Sequence, residues 1–355
     1  MPDWTSSMQQ TYEYYTVDPN TWKDVKQIKN IKSASITWDL ETDTLSSASL
    51  DVSEDIGESY IRVYMITIQN GVKEKHMLGT FLVQTVPTSS DGKSKTISAD
   101  AYSPLLELNE KYPPIGYYIP KESNIMLYAH NLTQENMRAP VLNASCNDKL
   151  YIDYAADPND TWLAYIKNLM ANAKYSFMLD EKGQVLFMPK QEIEALQPVW
   201  TYNDDNSSIL YPDLDISKDL YGIPNVVEVL ASNGGAIYHS IKENNDINSP
   251  VSIANRGRRI VHRVTDPEIV GSATQERVDE YAEMLLKELS SMEHTITYTH
   301  GYCPVRVGDC IRLNYSKLGL HNVKARVISQ SIKCEPGCPV TEKAVFTTKL
   351  YGGKQ

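Results

Sequence analysis

Cysteine is scarce in this chain, with five among 355 residues, which is too few for the disulfide framework of a small secreted protein. Long apolar stretches are missing as well, because no run approaches the roughly 18 residues that a membrane-spanning helix needs. The first ten residues, MPDWTSSMQQ, lack the basic and then apolar order of a secretion signal. We therefore expect the protein to be made in the cytoplasm and not to bind a membrane by itself.

Basic residues are in deficit: 34 Lys and Arg stand against 45 Asp and Glu, giving a formal net charge of -11. This charge argues against bulk attraction to nucleic acid or to an anionic membrane. The 17 Gly and 18 Pro are scattered, which excludes a collagen-like repeat, and 41% hydrophobic residues can furnish more than one packed core. At roughly 150 residues per domain, the length predicts two to three folded domains.

The familiar catalytic motifs are absent from the sequence: G-x-S-x-G, H-E-x-x-H, G-x-x-x-x-G-K-[ST] and a G-x-G-x-x-G after a strand. We therefore predict no enzymatic activity. The acidic run Asn203-Asp204-Asp205-Asn206 has the composition of a cation loop, but it lacks the glycine and the distal glutamate of an EF-hand. This run is interpreted as a solvated turn.

The first segment, residues 1–104, alternates apolar and polar residues with a period of two, which predicts short antiparallel strands. Asn70-Gly71 and Asp91-Gly92 are dipeptides that close hairpins. The inward positions are Ile36, Trp38 and Leu40, then Ala48, Leu50 and Val52, then Ile61, Val63 and Met65, then Phe81 and Val83. An antiparallel, barrel-like or sandwich domain follows.

The second segment, residues 105–222, changes to an α+β pattern. A short helix is predicted after Ser103-Pro104, a second over residues 125–136, and a third that starts at Asp157-Pro158 and ends near Lys174. The third helix has an apolar face formed by Trp162, Ile166, Leu169 and Met170. Residues 175–179 and 185–188 form a predicted hairpin.

The third segment, residues 223–294, holds a predicted hairpin around Asn233-Gly234-Gly235 and a long helix over residues 272–292. Ser272 and Gln275 form a capping-box pattern at the start of that helix, and its apolar stripe is expected to dock on the α+β segment. Alternation with a period of two returns in residues 295–355, which predicts a second antiparallel β domain. The predicted fold class is α+β, mainly β, with an α+β insertion between two antiparallel β-barrel-like domains.

Four of the five cysteines fall close together near the end of the chain: Cys303, Cys310, Cys334 and Cys338. They could be buried free thiols, a disulfide, or a metal or iron–sulfur site with His300 or His321 as a substitute ligand. The spacing is not that of a zinc knuckle, so free thiols are preferred, and no resident metal or cofactor is expected. Cys303 and His300 as a nucleophile and base are disfavoured, because residues three apart on a strand point to opposite faces.

One basic cluster occurs in this acidic chain, at Arg256, Arg258 and Arg259. Such a cluster is either a solvated face or an interface that holds a partner's carboxylates or a phosphate. We treat the three arginines as candidate interface residues.

The strand-rich ends of the chain resemble tailed-phage baseplate hub proteins, a family related to the hub part of type VI secretion spikes. The runs that carry the resemblance are YIRVY at 60–64, LGTFLV at 78–83, KTISADAYSPLL at 95–106, PVRVGDCIRL at 304–313 and VISQSI at 327–332. The resemblance implies a homotrimer in which two tube-like β domains per subunit form a pseudo-sixfold ring around a channel. It also implies a place in the virion tail baseplate, as the ring that joins the sixfold tail tube to a threefold spike or tip.

The partners that this resemblance implies are a tail tube or distal tail protein, a central spike or tip protein and other baseplate proteins, with DNA only in transit. No peptidase, lysozyme or fibre extension follows Gly353, so a wall-degrading role is not expected. A structural role is preferred, and 23 Tyr, whose side chains are amphipathic, suit large subunit contacts. The alternative is a tail module that binds or hydrolyses cell-wall glycan.

We expect the channel wall to be neutral to acidic, because a lysine-lined wall would bind passing DNA, which carries one negative charge per roughly 1.7 Å of duplex. The candidate channel-lining residues are Asp39, Glu41, Asp43 and Asp51, in the predicted strands of the first β domain. Strand phase alone leaves open which face turns inward.

Overall fold

The chain folds mainly into β-strands with a few short helices, which confirms the predicted α+β, mainly β class. The computed structural model describes residues 2–85, 87–90, 95–206, 208–233, 235–265, 267 and 274–352. The predicted turn at Asp91-Gly92 and the predicted helix start at Ser272 lie outside the described residues. Among the described helices, none is both long enough and apolar enough to span a membrane.

The strands of the first half are β1 Gln9–Val17, β2 Asp24–Ile28, β3 Ile31–Asp39, β4 Ser46–Val52, β5 Tyr60–Gln69, β6 Val72–Thr85, β7 Thr88–Ser90, β8 Lys95–Tyr102, β9 Tyr118–Ile119, β10 Tyr154–Ala155, β11 Tyr175–Leu179 and β12 Val185–Pro189. The later strands are β13 Pro198–Asn203, β14 Leu210–Lys218, β15 Val226–Asn233, β16 Ala236–Glu243, β17 Val261–Thr265, β18 Ser291–Gly301, β19 Cys310–Tyr315, β20 Leu320–Lys333 and β21 Pro339–Lys349. The helices are α1 Leu106–Asn109, α2 Ile125–Asn136, α3 Trp162–Asn172, α4 Ile253–Arg256 and α5 Gln275–Leu289.

Among the described residues, fourteen strands belong to one sheet, whose main path runs β14-β18-β21-β20-β3-β4-β8-β6-β5-β1-β2. Strand β13 pairs with β19, which pairs with β20, and β7 pairs with β8. The pairing of β13 with β19 is parallel, which differs from the wholly antiparallel end domain that the sequence predicted. Parallel pairing needs a long crossover connection, and the stretch of chain between these two strands supplies it.

The hairpin between β5 and β6 closes where the sequence predicted. Asn70 and Gly71 both have positive φ, at 52° and 78°, as a two-residue hairpin turn requires. Strand β5 is buried on both faces along most of its length, although its sequence was interpreted as having one buried face. Arg62, in the phase expected to face water, is buried in an ion pair with Asp24 at 2.7 Å. A charged side chain that is paired in this way can be buried, even on a strand whose alternating sequence predicts one exposed face.

The chain forms two compact units, Met1–Leu214 with Thr297–Ala344, and Asp215–Ile296 with Val345–Gln355. We call them the larger and the smaller unit. The unit boundaries fall inside strands β14, β18 and β21. The division predicted from the sequence, into residues 1–104, 105–222, 223–294 and 295–355, stays a prediction.

The helices of the α+β segment are present, with one corrected boundary. Helix α2 has the predicted bounds, whereas α3 begins at Trp162 because Thr161 caps it by accepting the Ala164 amide hydrogen bond at 3.2 Å. Asp157 was predicted to be the cap, but its carboxylate accepts the amide of Asn159 and forms a separate turn. The predicted apolar face of α3 is buried.

In the smaller unit, α5 packs on one face of a three-stranded sheet with the order β16-β15-β17. The prediction that α5 docks on the α+β segment is therefore wrong. The apolar face of β15 must be covered, and helix α5 covers it. The buried residues of this contact are Val227, Val229, Ala231, Val278, Ala282 and Leu286.

The bounds of α5 also differ from the prediction. Thr274 caps the helix through its side chain, and the helix ends at Leu289 because strand β18 begins at Ser291. Met292, predicted to lie in the helix, is therefore a strand residue. The pairing of β18 within the sheet therefore outweighs the helical spacing of its first residues.

Candidate functional site

The candidate channel-lining acids lie at the end of β3 and on β4. Strand β3 ends at Asp39, so Glu41 and Asp43 belong to the following turn and not to a strand, which corrects the prediction. The Asp39 carboxylate accepts the Glu41 amide at 2.8 Å, and Asp43 pairs with Lys167 at 3.3 Å. Asp51, on β4, is exposed and accepts a hydrogen bond from the Ser33 hydroxyl at 2.6 Å.

The candidate interface arginines, in the smaller unit, have different surroundings. Arg256 is half-buried and donates to the carbonyls of Ile223 and Leu220 at 2.9 and 3.0 Å, so its guanidinium stabilises a loop. Arg259 pairs with Glu243 at 2.5 Å. Arg258 has an exposed side chain, so the interface role predicted for it stays a prediction.

The four clustered cysteines are all buried free thiols in the larger unit. In the part of the chain that the structure describes, no group of three or more His, Cys, Asp or Glu side chains is arranged to hold a metal ion. Cys334 and Cys338 flank the turn between β20 and β21, and burial raises the pKa of both thiols, that of Cys338 to about 11. These two thiols are therefore protonated and unreactive at neutral pH. His321, considered as a substitute ligand, is exposed.

Cys303 lies beside His300, contrary to the strand-phase argument. The Cys303 sulfur is 3.9 Å from His300 Nδ1 and 3.2 Å from the Tyr202 hydroxyl. Strand β18 ends at Gly301, so strand phase does not apply to Cys303, and the chain turns it back toward the histidine. Both side chains are buried in the described structure.

These residues belong to a buried polar cluster in the larger unit, centred on Glu342, which we call the Glu342 cluster. Its members are Tyr202 on β13, Tyr298 and His300 on β18, Cys303, Gln330 on β20 and Glu342 on β21. Tyr298 donates to Glu342 Oε2 at 2.6 Å, and Gln330 donates to Glu342 Oε1 at 2.5 Å. His300 Nε2 lies 3.2 Å from the same Oε1, and His300 Nδ1 lies 2.6 Å from the Gly301 carbonyl.

The Glu342 cluster holds a buried ion pair. Burial alone lowers the pKa of His300, but its hydrogen bonds to Cys303 and Glu342 and the charge of Glu342 outweigh burial and raise that pKa to about 10. Burial alone raises the pKa of Glu342, but the charge of His300 and the hydrogen bonds from His300, Tyr298 and Gln330 lower it. The imidazolium and the carboxylate therefore coexist at neutral pH and join four strands of the sheet.

The raised pKa of His300 predicts a pH-dependent stability. The unfolded pKa is about 6.5, so this stabilisation is complete below that pH and is lost as the pH rises through the folded value of about 10. Between these values we expect the free energy of unfolding to fall by up to about 1.4 kcal/mol per pH unit from this group. Urea denaturation at pH 7, 8 and 9 should show a flatter profile for His300→Gln than for the exposed control His321→Gln. Parallel profiles for the wild type and His300→Gln would contradict the ion pair.

Few features of the sequence indicate the Glu342 cluster. Tyr298 and His300 share one phase of a predicted strand, and Glu342 lies between the buried Val340 and Ala344. A glutamate in the inward phase of a strand is the signal that could have revealed it, because such a group must be paired. Its partner Tyr202 comes from a distant segment that no local pattern connects to it.

Asp204, in the run interpreted as a solvated turn, has a local structural role. Its carboxylate accepts the amide and the hydroxyl of Ser316, each at 2.7 Å, and these hydrogen bonds lower its pKa. The aspartate thus caps the short turn after β19.

Exposed apolar side chains occur on two adjoining segments of the larger unit. Ile115 is 92% exposed and Tyr151 is 94% exposed, and Tyr118 and Ile152 are also exposed. The two segments are joined where β9 pairs with β10. Apolar side chains of this size in water are typical of a surface that another protein covers.

No family model matches the chain, and no curated protein matches it in sequence. Solved structures do match. The tail protein from Neisseria meningitidis MC58 is 13% identical, with a TM-score of 0.68, covering 95% of this chain and 96% of that one. The 43 kDa tail protein of prophage MuSo2 from Shewanella oneidensis is 11% identical, with a TM-score of 0.63, covering 94% of this chain and 98% of that one.

A third match is the E. coli c3393 protein, described as a component of the type VI secretion system with structural similarity to the T4 bacteriophage tail proteins gp27 and gp5. It is 9% identical, with a TM-score of 0.50, covering 92% of this chain and 76% of that one. The chain therefore has the fold of phage tail proteins, and the resemblance found in the sequence is confirmed for the fold.

Proposed function

We propose that this protein is a structural hub of a phage or phage-like tail baseplate, a ring that joins the sixfold tail tube to a threefold spike or tip. The observation that carries the proposal is the match of nearly the whole chain to nearly the whole of the Neisseria tail protein. The fold shared with a type VI secretion component that is structurally similar to T4 gp27 and gp5 supports the proposed position between tube and spike. The protein acts in the virion tail, after synthesis in the host cytoplasm.

The proposed ring is a homotrimer. The main path of the large sheet starts at β14 and ends at β2, and both strands are mostly exposed and paired on one side only in the described structure. Unpaired strand edges are templates for pairing with another chain, and a head-to-tail contact between unlike surfaces forms a ring when the rotation between subunits closes. The exposed side chains around Ile115 and Tyr151 offer further contact surface for other baseplate proteins.

The mass in solution tests the trimer. Light scattering at several concentrations should give about 120 kDa, three times the 40.1 kDa of one chain. Val25→Lys places a charge on the exposed edge strand β2 and should shift the protein toward the monomer. Val72→Lys makes the same change at an exposed position of the β5–β6 hairpin and should leave the trimer intact. If the wild-type protein stays monomeric at high concentration, and also when it is mixed with its tube partner, the result counts against the proposed hub function.

The proposed channel passes DNA without binding it. Its wall is neutral to acidic, and Asp39 and Asp51 are the candidates that lie on strands. A trimer carries a net charge of about -33, three times -11, which is compatible with low affinity for DNA. Tight binding of DNA by the isolated trimer at physiological salt would contradict this part of the proposal.

The proposal includes no enzymatic activity and no resident metal or cofactor. The Glu342 cluster contains a thiol, an imidazole and a carboxylate, but it is buried and acts as a structural ion pair. A zymogram on bacterial cell walls separates the hub from the alternative of a glycan-hydrolysing module, which would clear the wall. Elemental analysis of the purified protein should give less than one metal per chain.

A further inference from the structure

The hairpin formed by β11 and β12 is apolar on both faces, although only one of them is covered by a helix. Phe177 and Phe187 are paired across the hairpin and buried on the side of α3. Met178 and Leu186, the next pair, point to the opposite face together with Met188. Strands that are apolar on both faces are normally covered on both. The second face of this hairpin lines a pocket instead.

The pocket lies within the larger unit and has a volume of about 280 Å³. Its walls are Met178, Leu186 and Met188 from the hairpin, Trp38 and Met77 from the first β domain, and residues 305–310 before and at the start of β19. Three methionines line it, and methionine side chains adapt their shape to an apolar group. This volume accommodates one large apolar side chain.

The acidic groups of the pocket already have partners. Glu181 is ion-paired with Arg306, Asp309 accepts the Arg306 amide at 2.9 Å, and Asp180 accepts the Gln184 amide at 2.8 Å. Burial raises the pKa of both aspartates, as expected for a pocket that is poor in water. These carboxyl groups therefore need no ligand.

One donor of the pocket remains unsatisfied. Arg326, on β20, lines the pocket, and its Nε is buried without a hydrogen-bond partner in the described structure. A buried donor without an acceptor is costly, and Arg326 lines the pocket, so a ligand that brings an oxygen to its guanidinium gains a charge-assisted hydrogen bond. Three carboxyl groups and two guanidinium groups line the pocket. This balance of charge favours a ligand with a neutral carbonyl over a ligand with a carboxylate.

An open strand edge borders the same pocket. Val199, on β13, is 55% exposed and lines the pocket. Within the described residues β13 pairs only with β19, so its other edge carries no paired strand. A strand edge beside an apolar pocket is the arrangement that binds extended peptides, because the edge supplies main-chain hydrogen bonds and the pocket selects a side chain.

From these features we propose that the pocket binds an extended, uncharged peptide segment of another tail protein. The segment pairs with the free edge of β13, inserts one large apolar side chain among Met77, Met178 and Met188, and accepts a hydrogen bond from Arg326 through a main-chain carbonyl. That the segment belongs to another tail protein rests on the proposed function. The chemistry of the pocket does not rest on the proposed function. It is tested on the isolated chain, independently of the mass of the trimer.

The test is a titration of methyl-¹³C-methionine protein, followed by NMR, with N-acetyl-L-phenylalanine amide as the probe. We expect millimolar probe to shift the signals of Met77, Met178 and Met188 and to leave that of the exposed Met284 unchanged. Arg326→Leu should weaken binding about tenfold, the loss of one charge-assisted hydrogen bond. Leu186→Trp should fill the pocket and abolish the shifts, whereas Leu230→Trp, at an exposed position outside the pocket, should preserve them.

Several results would overturn the proposal. No shift of the three pocket signals would do so, as would shifts that persist unchanged in both Leu186→Trp and Arg326→Leu. Decanoate, a fatty carboxylate, is the comparison ligand. Shifts with decanoate and none with the amide would show that the pocket takes a lipid-like anion and not a peptide. If Leu186→Trp does not fold, Arg326→Leu alone decides whether the donor takes part.

Discussion

Glu342→Gln should lower the free energy of unfolding by about 3–5 kcal/mol at pH 7, because it breaks a buried ion pair from one side. The carboxylate accepts from Tyr298, Gln330 and His300, and the group is buried completely. A glutamine offers one acceptor oxygen and two donor hydrogens, so it cannot satisfy the same three donors. The imidazolium of His300 would lose its counter-ion and give up its proton in the folded state.

Urea denaturation of Glu342→Gln beside Glu335→Gln measures this effect. Glu335 is exposed in the turn between β20 and β21, so the same chemical change there should alter stability by less than about 0.5 kcal/mol. The double variant with His300→Gln should lose less than the sum of the two single variants, since it removes both buried charges. Equal stabilities of Glu342→Gln and Glu335→Gln would show that the cluster holds no ion pair.

The regular alternation in the sequence predicted most of the strands of the large sheet, for a physical reason. Positions such as Ile36 and Leu50 are buried, because a sheet with one core face selects apolar residues at every second position. Short-range signals were equally effective, since Asn70-Gly71 closes a hairpin and α2 has its predicted bounds. Local rules therefore sufficed wherever the structure depends on neighbours in the chain.

Contacts between distant segments were not predictable in this way. The parallel pairing of β13 with β19 and the pocket behind β11 and β12 depend on segments that are far apart in the sequence. The same is true of Tyr202, which joins the Glu342 cluster from β13. Helical spacing identified the stripe of α5, but the surface that it covers belongs to β15 and β16. Periodicity predicts that a face is buried, and it does not specify the partner.

The contact between α5 and its sheet predicts a second large effect, a loss of stability of the smaller unit when a buried side chain of α5 is removed. Leu286 is completely buried against Val227 and Val229, whereas Leu285 is only partly buried and Met284 is 53% exposed. Consecutive helix positions point in different directions, so these three residues sample the buried face, its border and the solvent face of one helix. Removing the Leu286 side chain leaves a cavity that a sheet and a helix cannot close without moving.

We therefore expect Leu286→Ala to lower the free energy of unfolding of this unit by about 2–5 kcal/mol, and Leu285→Ala to cost less. Met284→Ala should change it by less than about 0.5 kcal/mol, since its side chain is largely in water already. Hydrogen exchange of the amides of β15 and β16 is the measurement, because it reports the opening of this sheet separately from the rest of the chain. The largest acceleration of exchange is expected in Leu286→Ala, a smaller one in Leu285→Ala and almost none in Met284→Ala. Equal acceleration in all three variants would mean that the stripe of α5 is not the face that holds the helix on the sheet.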